Sequence, residues 1–498
     1  MTSAPTTSHR RDRALILTVM CAGMFLVLLD VTIVNVALPA IGRGLGAQIA
    51  QLQWVVDGYV VAIAGLLLAA GTIGDRVGHR RMLLTGFALF GLAALGCALA
   101  PDVAVLIGAR IAQGVGGALL LPSTMAVIVE VFPGRAEQAR ALGTWAAVSS
   151  LALPAGPLLG GVLVTRWGWR PVFWIAVPLT IAATVAARIV VPADVARRGG
   201  RLDLPGLTGF VLGLGSLVFA IISAGHRAGP GIVATAAVVA VAALAAAFAS
   251  ARRGTDPFLP VDLLRRKQLL APNVVALTMN LIFNGILFVG MLYLQDTLGR
   301  SPAAAGAAII PLALPLVILA PVSGRLTARY GPRPAIAGGC VLAACGSIPL
   351  TTLGHTGGIG RLLAAFTVLG CGSGLITTAV VAATVRATPA DRSGLATGVS
   401  NTARQVGTAC GVAIFGAVAG SPAAAGFVDG IHLLGAASAA AWVVALLITL
   451  FAIGHGRACR AETTRGHRLS NGRARRRKAS GDDQPDRGDT GRAARRPA

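Results

Sequence analysis

Two side chains of opposite charge interrupt stretches that otherwise avoid charge. Asp30 lies in LLDVTIVNVALP and Arg110 in LIGARIAQGVGGA, each inside a long apolar run. A carboxylate placed that way costs a few kcal/mol on membrane-insertion scales, so it calls for a reason. At about 1.5 Å of rise per residue, Asp30 lies roughly 13 Å and Arg110 roughly 12 Å from the same boundary. The matched depths permit an Asp30–Arg110 pair between two helices. One reading is a static ion pair that holds helices in register. The other is a proton site, in which wetting or withdrawal of the guanidinium switches the carboxyl between its two forms.

Further polar groups sit in similar runs. Asp57, in LQWVVDGYVVA, is about 7 Å deep; it either reaches interfacial water or serves proton entry or cation binding. Arg404 lies between Asn401 and Gln405, and Asn401, Gln405 and Thr408 share a helical face. Asn280 and Asn284 form an i, i+4 pair, and Asn35 follows Asp30 in its own motif. Asn35, Asn280, Asn284, Asn401, Arg404 and Gln405 are candidates for a substrate cavity, with interhelical hydrogen bonding as the alternative role. Glu130 falls near a helix end, where a solvated role is expected.

The elements that must position these groups follow from composition. Of 498 residues, 55% are hydrophobic and 12% charged, with a mean hydropathy of +0.75. A soluble domain carries about 25% charged residues, so most of this surface must face lipid. Apolar runs long enough to span a bilayer recur at 14–39, 51–73, 82–100, 103–131, 141–164, 171–191, 206–224, 231–250, 271–296, 304–323, 335–354, 360–384, 397–420 and 431–454. An all-α polytopic membrane protein of fourteen spans is expected. Arg10, Arg11 and Arg13 precede an apolar run that reaches about Ile41, far longer than the 7–15 residues of a signal-peptide core. That run reads as the first span.

The formal charge of +24 raises the question of nucleic acid, but no basic stripe with interleaved aromatics accompanies it. Lys and Arg outside the spans number about twenty on one face and about six on the other, which places both termini in the cytoplasm of a multi-pass cell-membrane protein. Seven cysteines lack metal or redox spacing. His79, His226, His355 and His432 are scattered and form no ligand set. No metal, cofactor or enzymatic site is expected. The segment after Glu462 is rich in Arg, Gly, Asp and Ser and reads as disordered.

A charged hairpin, GTIGDRVGHRRMLL at Gly71–Leu84, has an echo 253 residues later (324 − 71) in GRLTARYGPRP. Gly71, Arg76, Gly78 and Arg80 recur as Gly324, Arg329, Gly331 and Arg333, while Asp75 is replaced by Ala328. Repetition at corresponding places in two apolar halves indicates a duplicated bundle. The expected division is a cytoplasmic N-terminus at 1–13, a six-helix bundle at 14–191, an inserted helix pair at 206–250, a second six-helix bundle at 271–454 and a basic cytoplasmic tail at 455–498. Asp75 among Arg76, Arg80 and Arg81 can latch one conformation; an ordinary solvated turn is the alternative.

These motifs together resemble the major facilitator superfamily, and specifically its fourteen-span drug:proton antiporters. GTIGDRVGHRR is similar to the loop between spans 2 and 3, LDVTIVNVALP to the first-span motif and RIAQGVGGA to the fourth-span motif. AGPLLGG at 155–161 resembles the fifth-span antiporter motif, and GLATGVSNTARQVGTACGVAIFG the thirteenth span. The resemblance implies two six-helix bundles that rock about a central cavity. It implies Asp30 as the proton-coupling acid, Arg110 as its partner and Asp75 as a latch. Gly156, Pro157, Gly160 and Gly161 would shape a helix interface that limits leak. The second loop lacks its acid, Ala152 stands where a glycine is usual, and span 13 has no carboxylate. Neither multi-proton coupling nor a strong preference for dications therefore follows.

The expected function is proton-coupled efflux of hydrophobic or cationic drugs by alternating access. Small-molecule substrate, protons and the lipid bilayer are the expected partners, and the expected assembly is a monomer. Export of one endogenous metabolite or lipid by the same cycle is the alternative. Nothing resembling GxxxxGK[ST] is present to bind ATP.

Overall fold

The computed structural model describes residues 7–132, 134–193, 203–225, 229–253, 267–354, 358–387, 393–424 and 426–453. His226, His355 and the expected tail at 455–498 lie outside these residues.

Backbone amides in lipid must be satisfied within their own segment, which leaves helices as the form for each apolar run. The described residues contain helices and no strand. They are α1 (Thr7–Leu45), α2 (Ile49–Val77), α3 (His79–Leu99), α4 (Val103–Val131), α5 (Arg135–Trp167), a short α6 (Pro171–Trp174) leading into α7 (Ala176–Val190), α8 (Leu204–Gly225), α9 (Pro230–Arg253), α10 (Lys267–Leu292), α11 (Pro302–Tyr330), α12 (Pro332–Ser347), α13 (Ile359–Arg386), α14 (Ser393–Ala419) and α15 (Phe427–Ala452). Among the described residues, thirteen helical spans have membrane length and apolar composition, α6 and α7 making one between them; α14, with 27 residues, has the length of a fourteenth. Several helices outrun the apolar runs that announced them. α1 begins at Thr7 rather than Ala14 and α5 at Arg135 rather than Ala141. Hydropathy marks the thickness of lipid, whereas helical hydrogen bonding continues past it.

The two charged tracts mark one face of the bundle, here called the tract face. Gly78 (φ +104) and Gly331 (φ +87) stand at the same place in each, ending α2 and α11 with a left-handed residue that a side chain disfavours. At the opposite face, helix starts are capped by side chains. Asp102 accepts from the Val105 amide at 2.9 Å and Ser301 from the Ala304 amide at 3.3 Å.

The packing also occurs twice. α1 lies on α5 and α10 on α14; α2 and α3 lie on α4, and α11 and α12 on α13. α8 and α9 pack on each other, with α8 bridging α2 and α14. Two seams join the N-terminal helices to the C-terminal ones, α5 on α11 and α2 on α14. Large apolar residues such as Ile189, Val241 and Phe451 point outward, as lipid-facing positions do.

The α5–α11 seam depends on missing side chains. A Cβ at Gly306 would stand 2.1 Å from the Pro157 carbonyl oxygen, and one at Gly161 would stand 2.8 Å from the Ala303 Cα. Both obstacles are backbone and cannot yield by a rotamer change. Gly306→Val should therefore destabilise the protein by about 3 kcal/mol or more, read as an early thermal midpoint in detergent. Gly338→Ala, where nothing lies within 4 Å, should leave that midpoint in place.

Candidate functional site

Four helices converge on the first pair of charges. Asp30 comes from the middle of α1 and Arg110 from the third turn of α4, and both are almost fully enclosed. Arg110 Nη1 pairs directly with Asp30 Oδ2. The same nitrogen donates to Gln113 Oε1 at 2.8 Å, and Gln113 Nε2 donates to Asp30 Oδ1 at 2.9 Å. Gln113 thus closes a three-membered ring of hydrogen bonds, using both ends of its amide. Arg110 Nε reaches the Val55 carbonyl of α2 at 2.9 Å. The guanidinium lies over the Tyr59 ring, 4.3 Å from its centroid, and the Tyr59 hydroxyl is anchored on the Val27 carbonyl at 3.1 Å. Cys97 of α3 brings its thiol to 3.7 Å from Gln113 Oε1.

Each carboxylate oxygen receives a donor, and the positive charge has a carbonyl and an aromatic face besides its counterion. Such saturation is what a buried ion pair requires. If Asp30 takes up a proton, Arg110 retains Val55, Gln113 and the Tyr59 ring. The carboxyl can therefore be neutralised without leaving the guanidinium bare.

The other sequence candidates are not part of this ring. Asp57 is completely enclosed in α2, and neither of its carboxylate oxygens has a hydrogen-bond partner among the described residues. This enclosure shuts it away from interfacial water, and the packing of α14 on α2 behind it was not legible in the sequence. In the tract, Gly71 is uncrowded, and Arg80 Nη2 donates to the Arg188 carbonyl at the end of α7, at 2.6 Å. Arg76 lies at the end of α2, and the Asp75 side chain falls outside the described atoms. Gly156 and Gly160 lie against Thr32 and Ile33 of α1, whereas Gly161 faces α11; Pro157 supplies the carbonyl over Gly306.

Among the cavity candidates, Asn35 is buried, its amide donating to the Val31 carbonyl at 2.7 Å. Asn280 bonds back to Ala276 at 2.9 Å. Asn284 donates to Thr408 Oγ1 at 3.1 Å and so ties α10 to α14, the interhelical role. Asn401 is exposed, and Arg404 and Gln405 are half-buried. An apolar pocket among α10, α13, α14 and α15, lined by residues such as Ile286, Tyr293, Leu362 and Phe415, has a free volume of ≈ 20 Å³. It has room for about one water and none for a drug.

Gln113, Tyr59 and Cys97 were not singled out from sequence. Gln113 was findable, because it stands three residues after Arg110 on the same face of α4. The positions of Tyr59 and Cys97 depend on how α2 and α3 are rotated, which no local pattern encodes.

Removing one member of the pair should cost much more than removing both. Arg110→Met leaves a buried carboxylate and should lose about 3–5 kcal/mol, whereas Asp30→Leu combined with Arg110→Met should recover most of that loss. Thermal unfolding of the two single variants and the double variant in detergent tests this coupling. A double variant as unstable as the worse single would rule it out.

Comparison with known proteins places this arrangement in a lineage. The family model described as Major Facilitator Superfamily matches residues 20–412. Multidrug resistance protein Stp of Mycobacterium tuberculosis (strain ATCC 25618 / H37Rv) is 34% identical over 399 residues, covering 80% of this chain and 74% of that protein. Methylenomycin A resistance protein of Streptomyces coelicolor is 33% identical, covering 81% of this chain and 85% of its own length. Tetracenomycin C resistance and export protein of Streptomyces glaucescens is 35% identical, covering 80% and 74%. Among solved structures, an auto-inhibited POT family peptide transporter superposes with a TM-score of 0.66 at 15% identity, covering 90% of this chain and 98% of that one. That last likeness concerns the fold alone. With a family model spanning most of the sequence and a helical architecture to match, the chain belongs to the Major Facilitator Superfamily.

Proposed function

We propose that the protein exports hydrophobic or cationic antibiotics across the cytoplasmic membrane in exchange for protons, with Asp30 as the carboxyl that carries the proton. The observation that carries this reading is the Asp30–Arg110–Gln113 ring sealed inside the helical bundle. Relatives named for multidrug, methylenomycin A and tetracenomycin C resistance support export as the task.

The excess of Lys and Arg on the tract face orients it toward the cytoplasm, with both termini on that side. Residues 14–191 and 271–454 then form the two moving bundles, 206–250 an inserted pair, and one copy of the chain suffices. Cross-bundle bonds gather toward the outer face. Arg43 pairs with Asp296 at 3.0 Å, Gln295 Nε2 donates to the Val36 carbonyl at 2.9 Å, and Thr165 Oγ1 accepts from the Ala303 amide at 3.1 Å. This is the outward-closed member of an alternating-access pair, with Asp75, Arg76 and Arg80 as latch on the cytoplasmic side.

Protonation of Asp30 weakens its hold on Arg110, and Arg110 is bonded to α2 through Val55. The proton is thereby linked to the packing of α1, α2 and α4, the elements a rocking motion must shift. An outward pump draws on the proton gradient, whose electrical part alone supplies about 2.3 kcal/mol per charge at 100 mV. A narrower range, down to a single metabolite, is the second reading; it is favoured by relatives named for one antibiotic each.

Proton-gradient-driven uptake of a dye or antibiotic panel into inverted vesicles tests the proposal. Asp30→Asn should abolish coupled uptake while the protein remains folded and membrane-inserted. Parent-like uptake by that variant would reduce Asp30 to a structural residue.

A further inference from the structure

The two seams between the N-terminal and C-terminal helices are built from equivalent positions but not from equivalent chemistry. The 253-residue offset of the charged tracts also separates Arg43 from Asp296, which meet across the molecular pseudo-symmetry. Applied to the seams, the offset carries Gln53 of α2 onto Gly306 of α11, and Asp57 onto Ile310. At the α5–α11 seam, Gly306 simply lets two backbones touch. Neither 150–165 of α5 nor 302–322 of α11 contains a titratable residue. At the α2–α14 seam, Gln53 Nε2 donates to the carbonyls of Val412 and Ala413 at 3.2 and 2.9 Å, and Gly416 gives its amide room. One turn further along α2, Asp57 is fully enclosed, and neither of its oxygens has a hydrogen-bond partner among the described residues.

Among the described residues no ion pair balances Asp57 there. From α14, the Cys410 thiol lies within electrostatic reach, and Arg404 stands six residues earlier, about 9 Å along the helix toward the tract face. α4 offers Arg110, already engaged by Asp30, Gln113 and Val55. α1 offers Asp30, held in the same ring, and α8 has no titratable side chain. On α3, His79, Arg80 and Arg81 lie at the tract end, and Cys97 sits beside Gln113. A carboxylate in this place would be a buried charge without a counterion, which proteins avoid by neutralising it.

From this we infer that Asp57 is a second proton site, which operates the outer gate: the α2–α14 seam closes when Asp57 is protonated from the outer water and reopens as it ionises. Closing converts a hydrated carboxylate and one proton into a buried carboxylic acid; opening returns that proton to the side it came from. Asp57 therefore gates, while Asp30 carries the exchanged proton. The inference rests on the transport reading only for the direction the seam faces. Acid outside then favours the outward-closed form, the form a proton-driven exporter must reach before it reloads. The Ile310 seam keeps its closure at any pH.

Single-proton linkage sets the expected size: above the open-state titration point, the closed-to-open ratio should fall about tenfold per pH unit. Full-length protein in liposomes, with native cysteines replaced and spin labels at Ala47→Cys and Ala423→Cys, reports the gate by pulsed electron-spin distances. The parent should show short distances near about pH 5 and gain a long population toward about pH 8. Asp57→Asn should stay short throughout, and Asp57→Glu should keep a pH response. A parent gate blind to pH, an Asp57→Asn gate that follows the parent, or closure driven by Na⁺ or K⁺ at fixed pH would each overturn the inference. Asp30→Asn, measured in the same preparation, separates the two proposals: it should lose coupled uptake and keep the gate response. Parent-like uptake in that variant counts against Asp30 alone.

Discussion

A charge placed in the low-dielectric middle of a membrane bundle has to be answered by other groups, and the rest of this structure is arranged around one such answer. Asp30 and Arg110 are held by a glutamine amide, a backbone carbonyl and a tyrosine ring contributed by α2 and α4. The desolvation cost of an ion pair is offset only when geometry and additional hydrogen bonds are this complete. Completeness also makes the site sensitive. Because Arg110 holds Asp30 on α1, Val55 on α2 and Gln113 on its own helix, a change in charge at one atom alters the mutual hold of three helices. A salt bridge with a single contact on each side would lack that reach.

The charged residues at depth were legible because each violates the apolar composition of its span, and a violation needs no alignment to be noticed. The duplication was legible too, since Gly78 and Gly331 are both forced into left-handed backbone at the ends of α2 and α11. What one sequence does not carry is the azimuth of each helix. Asp57 illustrates this. Depth alone left open interfacial water or a role in proton entry or cation binding, whereas the packing of α2 on α14 encloses the side chain completely. Asn284 was equally ambiguous until Thr408 was placed opposite it. Helix ends were the other weak point, because α1 and α5 run on beyond their apolar cores.

Duplication sets the scaffold, and departures from it locate the chemistry. At the 253-residue offset, Asp30 corresponds to Phe283 and Arg110 to Leu363, so the second set of helices reproduces the packing without the charges. The same holds at the seams, where Gln53 and Asp57 correspond to Gly306 and Ile310. A symmetric bundle with acids in both halves would have to neutralise two distant sites in step. Among the described residues the two fully enclosed acids, Asp30 and Asp57, lie on α1 and α2, which both pack against one helix, α4.

This asymmetry also bears on what can move first. The α5–α11 seam brings backbone against backbone at Gly161 and Gly306, with the neutral Thr165 hydroxyl accepting from the Ala303 amide beside them. Such a contact is either made or broken, and nothing at it responds to pH or charge. The α2–α14 seam closes through side-chain amide bonds and an enclosed carboxyl, groups whose preference depends on hydration. If the two halves rock as proposed, seams of unlike chemistry would divide the work: the apolar one as fulcrum and the polar one as the edge that parts.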